Sequence, residues 1–156
     1  MSKKILILMS DTGGGHRASA EAITEAIAHL YGNNITVRIV DAWKHHSPWP
    51  LNRLGDTYPW LVSDDFGLWL WNMLWHTDDK TWPTRLLSVM ATPLVHRSLS
   101  KMFRAEKPDL VVTVHPVINP VASRVLRKVL KTDVPYATVV TDLVRAHPAW
   151  FCCDAD

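Results

Sequence analysis

Three stretches of the chain are apolar almost without a break: Ile5-Leu6-Ile7-Leu8-Met9, Leu110 to Val114, and Tyr136 to Val140. A strand with one face in water alternates apolar and polar residues, because successive side chains point to opposite faces. A strand without that alternation is covered on both sides, and the usual cover is a layer of helices on each face of a parallel sheet. Ile35 to Val40 reads as a further, less continuous strand.

Helical periods separate the runs. Arg17 to Tyr31 places Ile23, Ile27 and Leu30 at i, i+4, i+7, and Val121 to Leu130 aligns Val121, Val125, Leu126 and Val129 opposite Arg124, Arg127 and Lys128. Strand–helix alternation predicts an α/β doubly wound, mainly parallel sheet with right-handed crossovers. The link from the second strand to the third, Asp41 to Asp109, is far longer than a crossover needs. It holds an insertion at about residues 43–107: an aromatic, proline-containing stretch over 43–82, then a helix predicted from Thr84 to Glu106. Pro93 is expected to bend or restart that helix, since proline removes a hydrogen bond and crowds the preceding turn.

At 156 residues, with 47% apolar and 21% charged residues, the chain suits one soluble globular domain. No run approaches the roughly 18 apolar residues of a membrane span, and the first strand is too short for a signal peptide. A formal net charge of +2 leaves electrostatic attraction to local patches, and no nucleic-acid partner is expected. The cysteines, Cys152 and Cys153, are adjacent, which fits a reducing, cytoplasmic setting better than a disulfide framework. Adjacent side chains in extended chain point apart, so neither this pair nor His45-His46 makes a metal site, and none is expected.

The first strand runs directly into Ser10-Asp11-Thr12-Gly13-Gly14-Gly15-His16, and a helix follows. Three glycines permit positive φ and a close approach of backbone to ligand. The free N–H groups and dipole of the helix start favour an anion, and a phosphate or diphosphate is the natural guest. Neither a dinucleotide fingerprint nor a Walker lysine is present. Asp11-Thr12-Gly13 also occurs in aspartic proteases, but those are all-β and here a helix follows. The same dipole disfavours imidazolium, so His16 reads as a neutral general base beside the anion, or as an ordinary turn cap. The other strand ends are polar too: Asp41, His115-Pro116, and Thr141-Asp142 with His147-Pro148 beyond. Ligands of open α/β sheets bind at such a rim, though each residue singly is also an ordinary cap.

Seven of the eight tryptophans (Trp43, Trp49, Trp60, Trp69, Trp71, Trp75, Trp82) fall within residues 43–82. The segment suits either a buried helix under a lid or an interfacial element, where tryptophan favours the membrane–water boundary. Its charge is slightly acidic, whereas the following helix carries Arg85, Arg97, Lys101, Arg104 and Lys107 against Glu106. That basic run suits either an anionic membrane surface or plain solvent.

Met9 to Ala22, reading Met-Ser-Asp-Thr-Gly-Gly-Gly-His-Arg-Ala-Ser-Ala-Glu-Ala, closely resembles the opening of monogalactosyldiacylglycerol synthases. Asp41 to Pro50, Val114-His115-Pro116, Val140 to Leu143 and His147 to Phe151 resemble further blocks of that family in the same order. Bacterial diacylglycerol glucosyltransferases and the glucosaminyltransferase of the peptidoglycan lipid precursor are more distantly similar. The resemblance implies one Rossmann-like half of a GT-B fold. It implies an inverting, metal-free enzyme that needs no cofactor and moves galactose from UDP-galactose to diacylglycerol. By the same resemblance His16 is the catalytic base, and Gly13, Gly14, Gly15 and Asp142 bind the donor. Trp43, His46, Pro48, Trp49, His115 and His147 belong to the acceptor and membrane side. Dependence on anionic lipids in plant members fits the basic helix and a peripheral membrane location. The family's second domain, which holds most of the UDP-sugar, would follow Asp156, so this chain alone is expected to fold without appreciable transferase activity. A UDP-glucose-dependent diacylglycerol glucosyltransferase, or a non-catalytic membrane-docking or nucleotide-binding module, are the alternatives.

Overall fold

A computed structural model of the chain describes residues 2–12, 14–49, 51–69, 81–142 and 146–151, the side chains of residues 14, 54, 58, 60–62, 81–85 and 87 excepted. Strands β1 (Lys3–Met9), β2 (Ile35–Asp41), β3 (Leu110–Thr113) and β4 (Tyr136–Thr138) form one sheet in the order β2-β1-β3-β4, with every neighbouring pair parallel. The register sets Leu8 between Val40 on one side and Thr113 on the other.

Period-two geometry explains why β1 carries no polar alternation. Its odd residues Ile5, Ile7 and Met9, with Val112 and Val114, pack on Ala20, Ile23 and Ile27 of helix α1 (Gly14–Tyr31). Its even residues Leu6 and Leu8, with Val111, pack beneath Val95, Leu99, Met102 and Phe103. Val121, Ala122, Val125 and Leu126 join that second core. Each fully buried aliphatic side chain contributes roughly 1.5–3 kcal/mol, so the strand is held from both faces. β2 lies at the edge and alternates, with Thr36 and Arg38 exposed.

Two short helices, α2 (Ala42–His46) and α3 (Leu54–Ser63), follow β2 and precede the long α4 (Thr81–Glu106). Gly55 in α3 is required by close approach: a Cβ there would come within 3.1 Å of the Asp11 carbonyl oxygen. α4 neither ends nor restarts at Pro93. Pro93 and Val89 are both exposed, so the carbonyl that proline leaves without its helical donor faces water. At the end of α4 the Glu106 carboxylate binds Lys4 Nζ at 2.7 Å and also pairs with Arg38, tying the helix to β1 and β2.

Other boundaries shift for local reasons. α1 begins at Gly14, three residues before the predicted start, and ends where Gly32 takes a left-handed φ of 57°. The helix expected over residues 121–130 is α5 (Ile118–Arg124) followed by one π-helical turn, Val125–Val129. β4 stops at Thr138, and Val139 and Val140, expected within a doubly covered strand, lie beyond it and are exposed. Among the described residues no strand pairs outside β4.

Leu8 is wholly buried whereas Leu30, predicted on the core stripe of α1, is 71% exposed. Leu8→Ala is therefore expected to lower unfolding free energy by about 2–5 kcal/mol. Leu30→Ala should change it by less than about 0.5 kcal/mol. Urea denaturation of both variants measures the contrast.

Candidate functional site

In an open parallel sheet a crevice forms where neighbouring strands send their connections in opposite directions. Here β1 leads to β2 and β3 leads to β4, so the divergence lies between the carboxyl ends of β1 and β3. Two imidazoles meet there. His16, in the first turn of α1, and His115, two residues beyond β3, have ring centroids 4.5 Å apart at 50°.

Their surroundings set them apart. His115 is 4% exposed, receives the Val117 N–H at Nδ1 (3.2 Å) and lies 2.7 Å from Thr12 Oγ1 through Nε2. Burial, assisted by the neighbouring His16, pushes its pKa down to about 3, so it stays neutral at physiological pH. His16 is half-buried, with Nδ1 3.1 Å from Thr141 Oγ1. Burial lowers its pKa, while a hydrogen bond to the Val114 backbone and the charge of Asp142 pull the other way. Asp142 in turn accepts from Trp150 Nε1 at 2.5 Å, and the Trp150 ring lies 6.3 Å from that of His16. His16 thus retains access to a proton and a counter-charge for its cation.

Gly13 lies outside the described residues. Gly14 and Gly15 are helical, so the positive φ that glycine permits is not used at these two positions. A Cβ at Gly15 would meet nothing within 4 Å, so open space adjoins the first turn of α1. The first-turn N–H groups of a helix have no intrahelical acceptor, which is the general condition for binding an anion there. Arg17 holds the turn shut from behind by gripping Asp11 with Nε (2.7 Å) and Nη2 (2.5 Å). Those bonds keep the Asp11 carboxyl below the ordinary carboxylate range. Asp41 is structural: Oδ2 accepts the Asp11 N–H (3.1 Å) while Oδ1 caps α2 through the Lys44 N–H (2.9 Å). A polar cavity of about 150 Å³ lies against the same turn, lined by Ser10, Asp11, Asp41, Lys44, Asn52, Gly55 and Asp56.

The residues expected on the acceptor and membrane side divide. Trp43 is not presented to any ligand or lipid: it is buried in the core with Val95 and Leu99 and braces α2. His46 is half-buried and joins α2 to α4 through Ser98 Oγ (2.9 Å). Pro48 is exposed and Trp49 is 77% exposed. His147 is buried, its Nδ1 accepting the Ala149 N–H to cap the turn Pro148–Trp150. Trp71, Trp75, Cys152 and Cys153 lie outside the described residues, as do the side chains of Trp60 and Trp82. Among the described residues no three His, Cys, Asp or Glu side chains group as metal ligands. Thr141 was read in the sequence as part of the polar rim, but Thr12, Arg17 and Trp150 carried no individual site role there, because only folding pairs them with His115, Asp11 and Asp142.

A four-stranded parallel sheet of this order, with its switch point at the start of α1, defines a Rossmann-like α/β domain. The chain belongs to the monogalactosyldiacylglycerol (MGDG) synthase family, whose profile matches residues 16–156. It is 40% identical over 150 residues to a probable monogalactosyldiacylglycerol synthase, chloroplastic, of Nicotiana tabacum, and equally to monogalactosyldiacylglycerol synthase 1, chloroplastic, of Arabidopsis thaliana. The chloroplastic enzyme of Spinacia oleracea is 38% identical over the same length. Each alignment covers 96% of this chain but 28% of the relative, so the chain spans less than a third of their length.

Neutral burial of His115 has a stability signature. An unfolded histidine titrates near 6.5, so below that pH the unfolded state binds a proton the folded state refuses, and stability rises with pH. His115's contribution is complete above about pH 6.5 and is lost progressively as pH falls toward its folded value of about 3. Urea unfolding of His115→Gln at pH 7, 5.5 and 4.5 should show a shallower decline than the parent protein.

Proposed function

We propose that this chain is the acceptor-side half of a two-domain GT-B glycosyltransferase that moves galactose from UDP-galactose to the free hydroxyl of 1,2-diacylglycerol. The observation that carries this reading is the half-buried His16 at the bare start of α1, in a chain of the MGDG synthase family. The relatives' greater length accommodates a second, donor-binding domain, with residues 43–107 as the insertion in the first. The diphosphate rests on the first-turn N–H groups around Gly13, Gly14 and Gly15. The acceptor oxygen attacks the anomeric carbon as its proton passes to His16, and the bond from that carbon to the diphosphate breaks. One displacement inverts the anomeric centre, UDP departs, and Asp142 favours the imidazolium that results. The UDP-sugar is the donor substrate, and no cofactor or metal takes part.

The enzyme sits peripherally on a membrane in this reading. Among the described residues no helix is long and apolar enough to cross one. On α4 the exposed residues Leu86, Met90, Leu94, Arg97, Lys101 and Arg104 recur at spacings of three and four, which places them on one face. Its first half is apolar and its second half basic, and Glu106 is drawn away into its pairs with Lys4 and Arg38. Such a face suits acyl chains at one end and anionic headgroups at the other. Trp49 and the stacked Phe66 and Trp69, all exposed, add aromatic anchors.

In the full-length enzyme, His16→Ala should lower turnover of UDP-galactose and diacylglycerol by roughly 10²-fold or more with the fold intact. Normal turnover in that variant removes His16 from the chemistry. Faster transfer from UDP-glucose than from UDP-galactose makes the enzyme a glucosyltransferase instead. Replacing Arg97, Lys101 and Arg104 by Gln should weaken binding to anionic vesicles by about 100-fold at low salt, at ~1 kcal/mol per basic residue. Vesicle sedimentation reads that loss, and unchanged binding discards the α4 face.

A further inference from the structure

We infer that the Thr12 hydroxyl is a hydrogen-bond donor to an anionic phosphoryl oxygen held at the start of α1, its direction set by His115. The inference deepens the reading of the glycine turn as a diphosphate cradle and rests on it.

The argument follows the protons. The Val117 N–H can only donate, and it points at His115 Nδ1 from 3.2 Å, so Nδ1 is an acceptor. A neutral imidazole then carries its proton on Nε2, and burial keeps this ring neutral. Nε2 lies 2.7 Å from Thr12 Oγ1, so the ring donates and the hydroxyl oxygen accepts. Thr12 cannot turn its own proton back toward His115. Among the described residues no acceptor receives that proton. Thr12 is half-buried and immediately precedes the glycines.

Two neighbouring groups that could compete for the proton are engaged elsewhere. The Asp11 carboxylate is held by Arg17 at both oxygens. His16 Nδ1 is within hydrogen-bond distance of Thr141. The hydroxyl of Thr12 and the first-turn N–H groups of α1 together make a set of donors. Such a set is complementary to oxygens that only accept, which a phosphoryl group supplies. Because the partner ring does not ionise in the physiological range, the donor keeps its direction there. A lone threonine would rotate freely between donating and accepting, so the buried histidine is what makes this one directional.

The test uses the full-length enzyme with UDP-galactose, diacylglycerol and UDP. Thr12→Val keeps the shape and removes the hydroxyl. It should weaken UDP binding measured by calorimetry, and raise KM for UDP-galactose, by roughly 10- to 100-fold, as expected for a hydrogen bond to a charged group. KM for diacylglycerol should change little, and Thr12→Ser should recover most of the affinity. An unchanged UDP Kd in Thr12→Val overturns the inference, as does an effect confined to diacylglycerol. A Thr12→Ser variant as impaired as Thr12→Val overturns it too, since packing and not the hydroxyl would then matter. The two readings fail separately. A wild-type enzyme that binds UDP but transfers no galactose overturns the proposed reaction while the Thr12 effect on UDP affinity still stands or falls. A wild-type enzyme that does not bind UDP overturns both.

Discussion

β1 is hydrogen-bonded to a parallel neighbour along each edge and packed against helices on each face, and the rest of the molecule is arranged around that confinement. Leu6, Ile7 and Leu8 are wholly buried, so the strand has no freedom to shift register: a one-residue slip would exchange the sets facing α1 and α4. The chain can leave only at the carboxyl end, beside the end of β3. From there α1 departs over one face and α5 over the other. Among the described residues no regular element fills the gap between those departures. In open parallel sheets this switch point is where ligands generally bind.

What the crevice does with two histidines is decided by burial. Desolvation is the largest influence on both, yet the outcomes differ because only His16 has opposing groups, the Val114 backbone and Asp142. His115 has no such support for a cation and is removed from proton chemistry altogether. That division is useful: two titrating imidazoles at 4.5 Å would repel as cations and titrate jointly. Locking one as a neutral hydrogen-bonding part leaves a single exchangeable proton at the site. Arg17 performs a parallel service for Asp11, whose carboxylate would otherwise repel an anion at the helix start.

Much of this was legible in the sequence. Continuous apolar runs identified β1 and β3 as doubly covered strands, and the glycine run with His16 marked the first strand-to-helix turn. Strand ends correctly placed His115 and Asp142 at the same rim. The readings that failed share one cause, which is that pattern does not report what packs on the other side. Leu30 belongs to a helical apolar stripe but is exposed, and Trp43 in an aromatic stretch is a core residue. Glycines read as permitting positive φ are helical at Gly14 and Gly15. Pairs such as Thr12 with His115, and Thr141 with His16, join residues more than a hundred positions apart. A lone sequence carries no trace of such pairings, because threonine and histidine have no periodicity to betray them.

The far wall of the crevice depends on a buried polar residue that looks ordinary in the sequence. Asn119 is fully buried in α5, and its amide donates to the Ala149 and Trp150 carbonyls at 3.0 and 2.9 Å. Its Oδ1 accepts from Thr138 at 2.9 Å, and its own carbonyl accepts from the Tyr136 hydroxyl at 3.1 Å. One side chain therefore locks together β4, α5 and the turn Pro148–Trp150. Leaving any of these groups unpaired in the core would cost about 1–3 kcal/mol, so the arrangement is strongly specified. Its functional consequence is reached in two steps: the turn fixes Trp150, and Trp150 Nε1 fixes Asp142 beside His16. A carboxylate left to solvent would be screened and mobile, with little hold on an imidazolium. The charge that Asp142 places beside His16 is in this way set by the same bonds that pack β4, α5 and the turn Pro148–Trp150.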